Sequence, residues 1–212
     1  SLHPAMLYYL DNYLNTVPRR VGNRVTGGIN ENQGRELLEL HTVGVDAGYS
    51  QADVYEASRC LTGHGIDNLT TSGAYVFRAA NHDNEAKQVF GLSVPAGGGE
   101  GDVQRLFDHL ASHPATARYI SKRLCQRFVA DDPPASLVDR LADVFLRTDG
   151  DLHEVVKALF GSAELWAEAF GSGNVPPRVV PAIGRWLEAG KPVVLASRCP
   201  GGVVTPVYGF DG

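Results

Sequence analysis

Apolar residues recur at helical spacing along most of the first 166 positions. Leu7, Leu10 and Leu14 share one helical side, and Pro18 with the Arg19–Arg20 pair ends that stretch. Residues 21–29 are rich in Gly and Asn and read as a loop. A helix is expected over 30–43, with Leu37, Leu38 and Leu40 inward, Asn30 as its cap and Glu31 in its first turn, before Gly44 stops it. Ser50 followed by Asp53 is a capping-box start for a helix carrying Val54, Ala57 and Leu61. Residues 74–77 are β-prone and residues 81–101 loop-like. Further helices are expected from Asp102 (Val103, Leu106, Leu110), over 115–129 (Ile120, Leu124, Phe128), from Pro134 to Phe145, and from Asp151 (Val155, Leu159, Phe160). Taken together, the pattern predicts a mainly α fold: a helical bundle with an irregular insertion.

After Trp166 the texture changes. Gly171 to Asn174 is a glycine loop, Pro176–Pro177 suits a helix start, Val179, Val180, Ile183 and Leu187 form one face, and Val193 to Ala196 is a short apolar strand. Loop, helix and buried strand in that order form an incomplete α/β, βαβ-like tail. Such a tail is too small for a core of its own and is expected to be poorly ordered or to lean on the bundle. The expected division is a helical domain over 1–167 and a partial segment over 168–212, with a seam near 165–171.

Composition narrows the function. The net charge of -5 argues against a nucleic-acid partner, which would require a basic face. No apolar run is long enough for a transmembrane segment. The chain opens on Ser1 without the pattern of a signal peptide, which reads as a processed or cut end. Cys60, Cys125 and Cys199 are far apart and form no CxxC motif, so buried reduced thiols are expected.

Two constellations offer chemistry. Glu31, Arg35 and Glu39 are four apart and line one side of the 30–43 helix, where Asn30 could join them in a structural network. Glu36 and His41, if brought to the His82–Asp83 pair, would form an acid/base site; His41, His82 and Asp83 could then bind a divalent metal. No HExxH-type spacing accompanies them. His64 and His109 have no evident partner in sequence, His113 before Pro114 reads as a helix-terminus residue, and Lys87 is placed to pair with Asp83.

Many ordered words carry a family resemblance: Asn30–Glu31, Arg35 through Thr42, Gly44–Val45, Leu61–Thr62–Gly63, His82–Asp83, His113 through Arg118, Asp132–Pro133–Pro134 and Asp149–Gly150–Asp151. Residues 2–167 thereby resemble the family called domain of unknown function 1800, and specifically its C-terminal portion. The resemblance implies a longer bacterial parent that is exported, and no known activity. The tail, through Gly171 to Pro177, Gly190 to Val194 and Ser197 to Pro200, resembles the C-terminal domain of bacterial-type L-asparaginases. The nucleophilic threonines of those enzymes belong to a domain outside this match, and Pro176 stands where some of them place an active-site Asn, so no asparaginase activity is expected. Two unrelated resemblances point to a composite chain.

Three functions follow as expectations: a scaffold or interaction module, a metal-dependent or acid/base hydrolase built on Glu36, His41, His82 and Asp83, and an inactive asparaginase-type fragment. Convergence of the imidazoles and carboxylates in one cleft separates the second from the first.

Overall fold

The computed structural model describes residues 2–170. The tail expectations, including the Gly171–Asn174 loop, the 193–196 strand and Cys199, lie outside the described residues. The fold is mainly α. It divides into two compact units, the first ending at Thr116 and the second beginning at Ala117.

In the first unit, helix α1 (Pro4–Tyr9) leads into a 3₁₀ turn at Asn12–Leu14. Two buried asparagines fix this turn. Asn12 Nδ2 donates to the carbonyls of Leu61 (3.0 Å) and His64 (2.8 Å), and Asn15 Nδ2 donates to that of Ser58 (2.8 Å). The bonds to Ser58 and Leu61 satisfy carbonyls at the end of the next long helix, where helical partners run out, and the bond to His64 ties the turn to the strand that follows. Strands β1 (Thr16–Val21) and β2 (Arg24–Gly28) follow as an antiparallel hairpin. This differs from the loop expected over 21–29. Both faces of the hairpin are exposed, so no period-two alternation marks it in sequence.

Helix α2 (Asn32–Glu36) continues directly into a π turn at Leu37–His41. Helix α3 (Gln51–Cys60) opens with the complete Ser50–Asp53 capping box. Hairpins β3 (His64–Ile66) with β4 (Tyr75–Phe77) and β5 (Lys87–Val89) with β6 (Leu92–Val94) come next. The second lies within the expected irregular stretch. Its turn places Phe90 (φ 44°) and Gly91 (φ 87°) in the left-handed region. Phe90 is held there because its N–H donates to Asp53 Oδ1 (2.6 Å) and its carbonyl faces His109 Nε2 (3.0 Å). Helix α4 (Gly101–Ala111) closes the unit. Leu38, Val54, Leu61, Val89, Leu106 and Leu110 form its core, each fully buried. Burying one such side chain contributes about 1.5–3 kcal/mol.

Helix α5 (Pro114–Phe128) contains the division between units. The second unit continues through α6 (Ala135–Arg147), α7 (Leu152–Phe160) and α8 (Ala163–Phe170). Leu137, Leu141, Val155 and Leu159 make its core with Cys125. Asp149 (φ 53°) and Gly150 (φ 80°) make the turn between α6 and α7, and Asp151 Oδ1 caps α7 by accepting from His153 N (2.8 Å). Residues 165–170, where the seam was expected, continue α8.

Candidate functional site

The buried polar chemistry of the first unit gathers around the segment between β4 and β5. A short 3₁₀ turn at Ala79–Asn81 delivers His82 in an extended conformation (φ -84°, ψ 144°). Neighbouring side chains on extended backbone point to opposite sides, so His82 and Asp83 serve different partners.

Asp83 faces α3. Its Oδ2 and Oδ1 accept from Arg59 Nε (2.8 Å) and Nη2 (3.0 Å), a bidentate pair, while Arg59 Nη1 donates to both oxygens of Glu56 and to the Ala86 carbonyl (3.1 Å). Burial pushes the Asp83 carboxyl up, but the Arg59 hydrogen bonds outweigh it and hold the group below the usual carboxylate range. The same bonds to Asp83 raise Arg59. Both side chains are mostly buried, so this pair carries more weight than a surface ion pair.

His82 faces the core. Its Nδ1 lies 2.8 Å from the Thr62 carbonyl, which can only accept, so Nδ1 carries a proton. Thr62 Oγ1 donates to the Arg59 carbonyl (2.6 Å) and accepts from Asp83 N (2.9 Å). His82 Nε2 lies 3.3 Å from Asp102 Oδ2, a contact that is favourable when Nε2 is protonated as well. Lys87 Nζ also reaches Asp102 Oδ2 (2.7 Å) and spends its other two donors on the carbonyls of Asp83 (2.6 Å) and Glu85 (2.9 Å). Lys87, Asp102 and His82 have no exposed side-chain surface. The effect is to clamp residues 82–87 to the start of α4.

His64 lies beside them, with ring centroids 4.9 Å from Phe77 and 6.3 Å from His82. Tyr75 Oη donates to Glu100 Oε1 (2.8 Å), so it accepts from His64 Nδ1 (2.9 Å). The proton on Nδ1 leaves Nε2 of His64 as a bare lone pair, buried and, among the described residues, without a hydrogen-bond partner. Burial, aided by His82, pushes His64 down to about 4, so the ring is neutral at physiological pH.

Glu36 and His41 belong to a different neighbourhood. Glu36 is half-buried at the end of α2, and His41 is exposed at the end of the π turn. Among the described residues no hydrogen bond or ion pair joins either of them to His82 or Asp83, and no group of three or more His, Cys, Asp and Glu is arranged to hold a metal ion. The oxygens of Asp83 are occupied by Arg59 and the Glu85 N–H (3.0 Å). Of the network residues, Asn30 Oδ1 accepts from Asn32 N (3.0 Å), and Arg35 Nη2 donates to Glu31 Oε2 (3.1 Å) and Gln51 Oε1 (2.8 Å). Glu39 sits in the π turn, where the i,i+4 geometry of an α-helix does not hold, and among the described residues no ion pair joins it to Arg35. Glu39 instead helps burial raise Tyr49.

Of the described thiols neither is poised as a nucleophile: burial pushes Cys60 up to about 12 and Cys125 up to about 11. Arg59, Asp102 and the Tyr75–Glu100 pair escaped the sequence reading. Arg59 has a weak local signal, since Glu56 precedes it at i,i+3 on α3. Asp102 reads as a helix opener, and nothing local reveals its bond to Lys87.

No solved structure matches the chain. A probable L-asparaginase of Deinococcus radiodurans is 48% identical over 44 residues, which is 21% of this chain and 13% of that protein. The chain thus spans a small part of that relative's length. Residues 1–198 match the family described as protein of unknown function, DUF1800, so the match runs past residue 167 into the asparaginase-like words. With most of its length matched, the chain belongs to the DUF1800 family.

Proposed function

We propose that this chain is a non-catalytic interaction module. One observation carries the reading: the buried charged groups of residues 82–102 are committed to one another. Asp83 is held by Arg59, and Lys87 places all three donors on protein acceptors. A catalytic acid or a metal ligand needs a free coordination site or a path to substrate, and these groups offer neither in this arrangement. The reading also takes the chain as the C-terminal portion of longer, exported relatives, and takes the asparaginase-like segment as inactive.

The competing reading is the hydrolase built on Glu36, His41, His82 and Asp83. Metal analysis of the purified chain, together with turnover of chromogenic esters, amides and asparagine, separates the two. The expected result is no stoichiometric metal and no turnover above the uncatalysed rate. Metal lost in His82→Gln, or turnover lost in Asp83→Asn while the fold persists, would overturn the proposal.

A further inference from the structure

The β1–β2 ribbon does not contribute to the core. Residues 18–27 are all exposed, and a two-stranded hairpin with both faces in water gains little stability from its own formation. Its charge is of one sign. Residues 12–30 hold Arg19, Arg20 and Arg24 and no acidic residue, within a chain of net charge -5. Among the described residues no ion pair neutralises any of these three guanidiniums, as is also true of Arg78, Arg123, Arg127 and Arg147, whereas Arg35, Arg59, Arg105, Arg118 and Arg140 are paired.

The register adds a second property. Val21 pairs with Arg24 and Arg20 with Val25, so each of the two rungs nearest the turn holds one guanidinium and one aliphatic side chain. Opposed residues share a face and successive residues alternate, so Arg24 and Val21 lie on one face and Arg20 and Val25 on the other. Both valines are about two-thirds exposed, Val21 at 64% and Val25 at 67%. A soluble polyanion would engage the arginines and leave the valines in water. The boundary of an anionic bilayer meets both needs when the ribbon enters turn first: both faces then meet lipid, the valines rest in acyl carbon, and the arginines on the same rungs extend their long side chains up to the phosphates. In the same unit Tyr8 (58%) and Tyr9 (76%) are exposed, and tyrosine favours that boundary.

We propose that the β1–β2 ribbon docks on an anionic lipid surface through Arg19, Arg20, Arg24, Val21 and Val25. This deepens the interaction-module reading and rests on it. The test is flotation of the 212-residue chain with phosphatidylglycerol/phosphatidylcholine vesicles and with phosphatidylcholine alone. The expected result is at least about tenfold greater partitioning onto the anionic vesicles, falling with added salt. Arg19→Ala/Arg20→Ala/Arg24→Ala should remove that preference. Val21→Ser/Val25→Ser should weaken binding severalfold with the arginines intact. Because every altered side chain is exposed, circular dichroism and the thermal midpoint should match the parent. Equal binding to both vesicles, no binding to either, or an unaffected arginine variant would sink the proposal. Full binding by the serine variant, abolished by heparin or DNA, would do so too, by assigning the ribbon to a soluble polyanion. A failed flotation with no turnover rejects the lipid surface alone, whereas metal-dependent turnover rejects the module reading whatever the vesicles show.

Discussion

Lys87 Nζ lies 2.7 Å from Asp102 Oδ2, and neither side chain has any exposed surface. Removing one partner of such a pair strands a charge in the core, which costs about 3–5 kcal/mol. Lys87→Met leaves Asp102 with His82 and Arg105 as remaining partners, so the lower end of that range is expected. Asp102→Ala strands Lys87 and His82 together and should cost more. The double variant Lys87→Met/Asp102→Ala should lose less than the sum of the single losses, since no lone charge remains from the pair. Urea denaturation of the four proteins checks this; additive losses would show that the pair is not coupled.

His64 makes stability pH-dependent. Its folded value is pushed down to about 4, below the ordinary 6.5, so the unfolded chain binds the proton more readily. The neutral folded ring contributes stability that is fully present above pH 6.5 and is lost as pH falls toward 4, by about 3 kcal/mol. His113, Asp53 and Asp83 are also held low and add slopes of the same sign, Asp53 and Asp83 in the carboxylate range. The His64 share is therefore read as the difference between the parent and His64→Phe. Between pH 6.5 and 4 the variant should show a shallower decline in unfolding free energy, and identical slopes would contradict the assignment.

Arg59 and Asp83 test whether the His82–Asp83 pair is structural. Arg59 makes a planar fork to Asp83 and also serves Glu56 and the Ala86 carbonyl, a set that a single ammonium cannot reproduce. Arg59→Lys should cost about 2 kcal/mol, and Asp83→Asn a similar amount, because each leaves mostly buried groups with fewer partners. Thermal denaturation measures both. An Asp83→Asn protein as stable as the parent would return this residue to the list of functional candidates.

What the sequence disclosed follows the range of the interaction. Ser50–Asp53, Asp149–Gly150 and Asp151 act within three residues and were legible as caps and turns. The helices after Asp102 were legible because their buried faces repeat every three or four residues. The β1–β2 hairpin has no buried face to mark it, and the β5–β6 turn uses Phe90 at positive φ, which local rules disfavour and only the contacts to Asp53 and His109 sustain. The His82–Asp83 pair was legible as chemistry, but its partners were not. Arg59 is 24 residues from Asp83, and Asp102 is 20 from His82, so each pairing depends on tertiary packing. The Arg35–Glu39 pairing fails for a related reason: the spacing argument presumes α winding, and Glu39 lies in the π turn at Leu37–His41.

Gly34 of α2 packs directly against Ser58 of α3. A Cβ at this position would fall on Ser58 Oγ and lie 3.0 Å from Ser58 N and 3.2 Å from its Cα. Gly34 is buried, and Ser58 is fully buried with its hydroxyl donating to the Val54 carbonyl (2.8 Å), so neither can swing aside. Gly34→Ala gains helix propensity, about 1 kcal/mol, but forces the helices apart, and overpacking of this kind costs about 1–3 kcal/mol. The net change should be destabilising because the clash involves backbone atoms as well as a hydroxyl. Ser58→Ala in the same chain removes the hydroxyl and should restore only part of the loss, since the contacts to Ser58 N and Cα persist. Denaturation midpoints for Gly34→Ala, Ser58→Ala and the double variant check this. A double variant as stable as Ser58→Ala alone would mean that only the hydroxyl limits the approach, and a Gly34→Ala chain more stable than the parent would mean that α2 and α3 do not meet here.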